Sequence, residues 1–274
     1  CAQQLAVEKG STDPYRLANT IVPKDLKGIL SGGDKVLSNT RHALEWVLNE
    51  GSQEGPSGEP LSYASKDVKL KAPILPSTKV ICMGGVFPTH LQIAGVDPHD
   101  FPKEFYKMSQ VVVGPDEFVI IPKSHQTPVV GGSELTAVFG KPGRSFSEEE
   151  AEDHIWGYTV LNDVTLRGIP TPTHKVFESS APVGPWIVPK DQISDPQNLK
   201  LTMRINGEQV QEGSTSSMLA SVYAMVAHCS KWMTLTSGDI LASGDLGSTD
   251  PIKPGDVMEV EVEGVGVLRN PVKL

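Results

Sequence analysis

The chain has 274 residues, enough to bury a sizeable core in one large domain or in a small one beside a large one. Its 24 Lys and Arg stand against 33 Asp and Glu, a formal net charge of −9 with no basic cluster. That balance argues against a nucleic-acid or anionic-membrane partner and for a small-molecule substrate. Three widely spaced cysteines, Cys1, Cys82 and Cys229, suit neither a disulfide frame nor a zinc site and read as reduced thiols in a cytoplasmic setting, the last two in apolar, core-like runs.

The chain opens on Cys1 without an initiator Met, inside ordinary polar sequence, and reads as trimmed there; a lipid-modified N-terminal cysteine is the remote alternative. Residues 1–70 are polar and broken by Gly and Pro, an accessory region with one well-marked helix over Lys35–Asn49. There Val36, Leu37, Ala43, Leu44, Val47 and Leu48 fall near one face, with Asp34 as N-cap. Ser52–Pro60 has linker composition. From residue 71 the character changes to short β-type runs punctuated by Pro and Gly: Lys79–Met83, Val111–Val113, Phe118–Ile121, Leu135–Phe139 and Tyr158–Leu161.

Ser147, with Glu150 three residues on, predicts a capping box and a helix start. A second helix is predicted over Ser216–Cys229, its apolar stretch from Met218 too short to span a bilayer. Leu201–Ile205, Asn206-Gly207 and Glu208–Gln211 carry the strongest hairpin signal, a type I′ turn between two strands. Val257–Glu263 alternates Val and Met with Glu, a strand with one buried and one wet face. The fold class expected is α+β, mostly β, with few helices.

The chemistry concentrates between Gly131 and Arg167. Glu134 heads an apolar strand, an acidic helix follows, and Asp163 ends a second apolar strand, so two carboxylates can converge and seat a hard cation together with water and substrate oxygens. The bland alternative makes Glu134 an edge-strand charge and Asp163 a turn former. His42, His99, His125, His154, His174 and His228 have no ligand-like spacing and read as surface or core residues.

A series of blocks carries a resemblance: Lys79-Val-Ile-Cys-Met-Gly, Lys107 before Val113-Gly114-Pro115, Ser133-Glu134-Leu135, Gly157-Tyr158-Thr159-Val160-Leu161-Asn162-Asp163-Val164, Lys175-Val-Phe, Ala181-Pro-Val-Gly-Pro-Trp186, Asn206-Gly207-Glu208 and Gly238-Asp239-Ile240. In order and spacing, over about 70–272, they resemble the fumarylacetoacetate hydrolase family. The resemblance implies a β-roll catalytic domain over 71–274, a homodimer, and Mg²⁺ or Mn²⁺ held by three carboxylates. It also implies cleavage of a carbon-carbon bond next to a carbonyl in a β-diketone or 2-oxo substrate, through an enolate that cation and lysine stabilise. Position by position, Glu134 and Asp163 match two metal ligands, and Lys175 and His90 the catalytic lysine and the lid's general base. Lys107, Ser243 and Asp245 match substrate-facing positions.

Departures cluster at the same place. Gly132 stands where the resemblance places the first metal glutamate, and Ile93 where it places the glutamate that orients the lid histidine. Val86-Phe87 replace Asn-Tyr, and Ser243-Gly244-Asp245-Leu246 replace a Thr-Gly-Thr-Pro that offers donors to a substrate carboxylate. These changes predict a weakened cation site, a His90 without its orienting partner, and a drier lid. A restored third charge from Asp245 is the alternative. A metal-independent or altered-activity isomerase, dehydratase or decarboxylase acting on a neutral enolisable substrate, and a non-catalytic binding homologue, are the competing readings.

Overall fold

The computed structural model describes residues 10, 12–50, 54–55, 58–75, 77–95, 97, 102–124, 127–169, 172–247 and 250–274. Cys1, His99, His125 and part of the 52–60 linker lie outside them. The chain divides into two compact units, residues 1–69 and 70–274. The first contains helices α1 (Pro14–Ile21), α2 (Leu26–Ser31) and α3 (Gly33–Glu50), with Asp13 and Asp25 capping the first two through their carboxylates. The third is the helix predicted over 35–49. Its start differs: Asp34 lies inside the first turn, where its charge suits the positive end of the helix dipole, and is not the cap. Val36 and Ala43 are buried on it while Leu44 and Leu48 are exposed.

The second unit is mostly β. In chain order its strands are β1 (Val80–Gly84), β2 (Lys103–Lys107), β3 (Val112–Val113), β4 (Val119–Ile120), β5 (Val129–Val130), β6 (Ser133–Phe139) and β7 (Ile155–Asn162). There follow β8 (Thr165–Leu166), β9 (Ala181–Pro189), β10 (Lys200–Ile205), β11 (Glu208–Ser214), β12 (Ile240–Ala242), β13 (Val257–Val262) and β14 (Gly266–Lys273). Three helices accompany them: α4 (Pro88–Ala94), α5 (Glu148–His154) and α6 (Val222–Trp232). A seven-stranded sheet runs β2-β1-β12-β6-β7-β9-β3, a five-stranded sheet runs β11-β10-β13-β14-β4, and β5 pairs with β8. Strands β13 and β14 pack on β6, β7 and β9, so the two sheets share one apolar core.

Local chemistry explains most of these elements. Asn206 and Gly207 both have positive φ, 55° and 84°, as a type I′ turn requires, and join β10 to β11. Along β13, Met258, Val260 and Val262 are buried and the intervening glutamates reach water, as the alternation predicts. The predicted capping box is complete: Glu150 N donates to Ser147 Oγ at 3.3 Å and Ser147 N to Glu150 Oε2 at 2.8 Å. At the other end of α5, buried His154 stacks on Phe146 with ring centroids 4.0 Å apart. Helix α6 begins later than predicted, because Ser221 caps it by accepting from Ala224 N at 2.9 Å while Thr215–Ser217 form a separate 3₁₀ turn. Cys82 and Cys229 are buried, and burial pushes the Cys229 thiol up to about 12. No helix among the described residues is long and apolar enough to cross a membrane.

Because both halves of the capping box are formed, Ser147→Ala is expected to cost about 1 kcal/mol of stability. A lower urea midpoint at unchanged slope would register that loss.

Candidate active site

Strand β6 is central and buried along its whole length, with β7 on one side and β12 on the other. Glu134, paired with Leu161 of β7, therefore cannot be an edge-strand charge. Asp163 follows β7 directly and donates its amide to Gly132 O at 3.1 Å. Asp245 lies three residues beyond β12. Three neighbouring strands thus deliver three buried carboxylates, and one oxygen of each lies within 4.8 Å of the others. Together with Met83, Gly84, His90, Phe105, Val130, Thr165, Arg167, His174 and Lys175 they line a cavity of about 240 Å³.

The charges inside are divided unequally. Lys175 Nζ pairs with Asp163 Oδ2 and donates to Thr165 Oγ1 at 2.8 Å. On the far side Lys107 Nζ stands 2.9 Å from Asp163 Oδ1. Burial alone would raise the Asp163 carboxyl, but the two ammonium groups outweigh it and hold it below the usual carboxylate range. Glu134 accepts one bond, from Gly244 N at 2.8 Å. There burial, reinforced by the charges of Asp163 and Asp245, pushes the carboxyl well above its ordinary value. Burial would lower the Lys175 ammonium, yet the Asp163 and Asp245 charges raise it overall, so it stays protonated.

His90, on α4, is turned into the same cluster. Its Nδ1 lies 3.0 Å from Asp245 Oδ1 and 3.2 Å from Asp245 O. Both partners can only accept, which makes Nδ1 the donor and leaves Nε2 with the lone pair in the neutral ring. The Asp245 hydrogen bond raises the His90 pKa against the opposing effect of burial. The loss of an orienting partner inferred from Ile93 is therefore corrected: Asp245 takes that part. Ile93 itself is exposed and off the cavity wall, so it does not dry the lid.

Two further expectations are revised. Lys107 does not face the cavity. Its side chain is fully buried, and its three protons go to the carbonyls of Val164, Lys175 and Ser180 at 3.1, 2.9 and 2.9 Å. Ser243 is buried off the cavity wall, its amide bonded to Leu135 O at 2.9 Å and its hydroxyl without a partner among the described residues. Conversely, Thr165 and Arg167 line the cavity without having been singled out. The period of two from Asp163 through Thr165 to Arg167, one face of an extended strand, is the signal that marks them. His174 lines it too; burial and the Lys175 charge hold its pKa down.

The donor set fits a hard divalent cation. All three donors are carboxylate oxygens, the class that binds Mg²⁺ and Mn²⁺. Oxygens around one Mg²⁺ lie at most about 4.2 Å apart, twice its bond length. A spread bounded by 4.8 Å needs no more than a small closure. Asp163 Oδ1 accepts no hydrogen bond among the described residues, because the protons of the facing ammonium are spent on carbonyls.

Residues 79–273 match the model of the fumarylacetoacetate (FAA) hydrolase C-terminal family. The chain belongs to this family. An oxaloacetate tautomerase of Bacillus subtilis (strain 168), YisK, is 34% identical to it over 270 residues, covering 92% of this chain and 87% of that one. The crystal structure of 2-hydroxyhepta-2,4-diene-1,7-dioate isomerase from Mycobacterium marinum is 35% identical, with a TM-score of 0.68 over 80% of this chain and 85% of that one. Maleylpyruvate hydrolase from Sphingobium sp. SYK-6, solved in complex with manganese(II) and pyruvate, is 25% identical, with a TM-score of 0.76 over 98% of this chain and 91% of that one. These family relatives are enzymes, with tautomerase, isomerase and hydrolase activities.

Lys107→Met is expected to strand Asp163 and three carbonyls without their buried cation and to destabilise the protein by about 3–5 kcal/mol, read by denaturant titration. The Glu134 shift has a sign as well. A carboxyl raised in the folded state stabilises below its unfolded value of about 4.3, and that contribution is lost as pH rises through the raised one. The melting temperature gained on adding Mn²⁺ is therefore expected to grow as pH rises from 5 to 8, as the cation replaces the proton on Glu134. A gain that is flat with pH would contradict that exchange.

Proposed function

We propose that the chain is a metal-assisted enzyme that interconverts the keto and enol forms of a small 2-oxo acid, working in the 70–274 unit. The observation that carries the reading is the pairing of a cavity histidine of defined tautomer with a buried carboxylate trio and a protonated lysine. Proton abstraction next to a carbonyl needs a base with a free lone pair, and Nε2 of the neutral His90 ring has one. The electron pair released moves onto the carbonyl oxygen, where Lys175 supplies positive charge. Delivery of that proton from the imidazolium to the enolate oxygen completes the keto-to-enol step without water, and the reverse transfer, from oxygen to carbon, completes the enol-to-keto step. Phe105, over which the Lys175 ammonium lies 4.7 Å from the ring centroid, helps keep that ammonium in place.

A divalent cation held by Glu134, Asp163 and Asp245 would polarise the substrate carbonyl as a Lewis acid. The protein's own part is to bury the three carboxyls together at the cavity wall. The cavity of about 240 Å³ suits a small acid, and Arg167, at its wall, offers a cation to a substrate carboxylate. The tautomerase and isomerase relatives support this order of preference.

Carbon-carbon bond cleavage is the second reading. In it water adds to the far carbonyl and the carbon-carbon bond then breaks, its electron pair leaving as the enolate of the 2-oxo fragment, which takes up a proton; the manganese–pyruvate complex of the maleylpyruvate hydrolase relative favours it.

The test is the decay of the enol absorbance of oxaloacetate, with and without Mn²⁺, beside hydrolysis of a maleylpyruvate-type substrate. His90→Ala and Lys175→Ala are each expected to lower turnover by about 10²–10⁴-fold. A parent protein that accelerates neither reaction over buffer would end both readings, and hydrolysis without tautomerisation would reverse their order.

A further inference from the structure

Gly132 is a glycine for reasons of space. It is absent from the positions whose φ favours glycine, so backbone conformation does not demand it. A Cβ built on it would lie 2.6 Å from Asp245 Cβ and 2.5 Å from Asp245 Cγ, and would overlap Oδ2 as well. The Asp245 carboxylate therefore rests on bare backbone.

Neither side has freedom to withdraw. Gly132 N donates to Asn162 Oδ1 at 3.1 Å, and Gly132 O accepts from Asp163 N at 3.1 Å. Its neighbour Gly131 is packed so closely on Asn162 Oδ1 that a Cβ there would come within 2.6 Å of it. Across the gap, Gly244 N is bonded to Glu134 Oε2 at 2.8 Å and Gly247 N to Asp245 Oδ1 at 2.5 Å, which fixes the loop on both sides of Asp245. The atoms nearest to an added methyl at 132 all belong to the Asp245 side chain, which is what it would displace.

That side chain has three attachments to lose: its place among the three carboxylates, its contact with His90 Nδ1, and the bond that its Oδ1 accepts from Gly247 N. We propose that Gly132 and Asp245 form one positioning unit, in which the vacant side-chain position at 132 holds the Asp245 carboxylate in the cation seat and against the histidine of α4 together. Seat and base are then set by a single side chain, and a residue with no functional group decides whether that side chain can be there. This rests on the reading that the trio holds a cation, and the two are separable by experiment.

The experiment uses the full chain with Mn²⁺ as probe, free Mn²⁺ being counted by its electron paramagnetic resonance signal. In metal-free protein the ¹⁵N resonances of the His90 ring report its hydrogen bond. Gly132→Ala is expected to weaken Mn²⁺ binding by about 10- to 100-fold, as Asp245→Asn does. The double variant should be no weaker than the poorer single one, because both changes remove the same ligand. The His90 resonances of metal-free Gly132→Ala should move away from the parent's in the direction seen for Asp245→Asn. Parental affinity together with parental His90 resonances in Gly132→Ala would overturn the proposal, as would losses that add in the double variant. A parent that binds no Mn²⁺, with His90 resonances that still move in Gly132→Ala, would uphold the pair and sink the cation reading. Should Gly132→Ala not fold, Gly132→Ala/Asp245→Gly removes the overlapping atoms: recovery of the fold supports the clearance argument, and continued failure overturns it.

Discussion

The buried ammonium of Lys107 is the contact on which the rest of the site depends. It gathers three carbonyls from the stretch between β7 and β9, those of Val164, Lys175 and Ser180, around one positive charge, and sets Asp163 against the same charge. An ammonium in that position would be prohibitively costly alone, and so would the carboxylate. Each makes the other tolerable, and the loop carrying Lys175 is fastened as a by-product. The catalytic lysine of the proposed mechanism owes its position to a lysine that never meets the substrate.

From this pairing the electrostatics divide. Asp163, with two ammonium groups against it, stays ionised despite burial, whereas at Glu134 burial and the charges of Asp163 and Asp245 outweigh the Gly244 amide and the Lys175 charge and drive the carboxyl toward its protonated form. Two buried carboxyls a strand apart are thus pushed in opposite directions, an arrangement characteristic of sites that handle protons and cations. Asp245 links this acid cluster to His90, so the base and the electrophilic side of the pocket share a wall.

Much of the fold was legible because local signals agreed with the tertiary structure. The Asn206-Gly207 turn, the Ser147–Glu150 box and the alternation of β13 each express one backbone preference that nothing opposes. Strand β9 was not legible as a strand, since Pro182, Pro185 and Pro189 break the propensity that would mark it, and its pairing with β7 carries an irregularity. Within the site, Glu134, Asp163 and Lys175 lie in the blocks that carry the resemblance, and His90 was reached only through the resemblance itself. The position of Lys107 could not, because lysine is ordinarily a surface residue and only the three-dimensional arrangement of carbonyls explains its burial. Asp245 stood in the sequence as a departure from a donor motif, and only the space beside Gly132 reveals why it fits.

Strand register acquires a chemical meaning here. Successive side chains of a strand point to opposite faces, so sliding β6 by one residue against β7 would carry Glu134 out of the pocket and put Ser133 or Leu135 in its place. The irregularity that β6 does contain falls between Val138 and Phe139, at the end remote from Glu134. The β6–β7 pairing thereby carries its irregularity where only packing is at stake and stays in register where a shift would change the charge presented to the ligand.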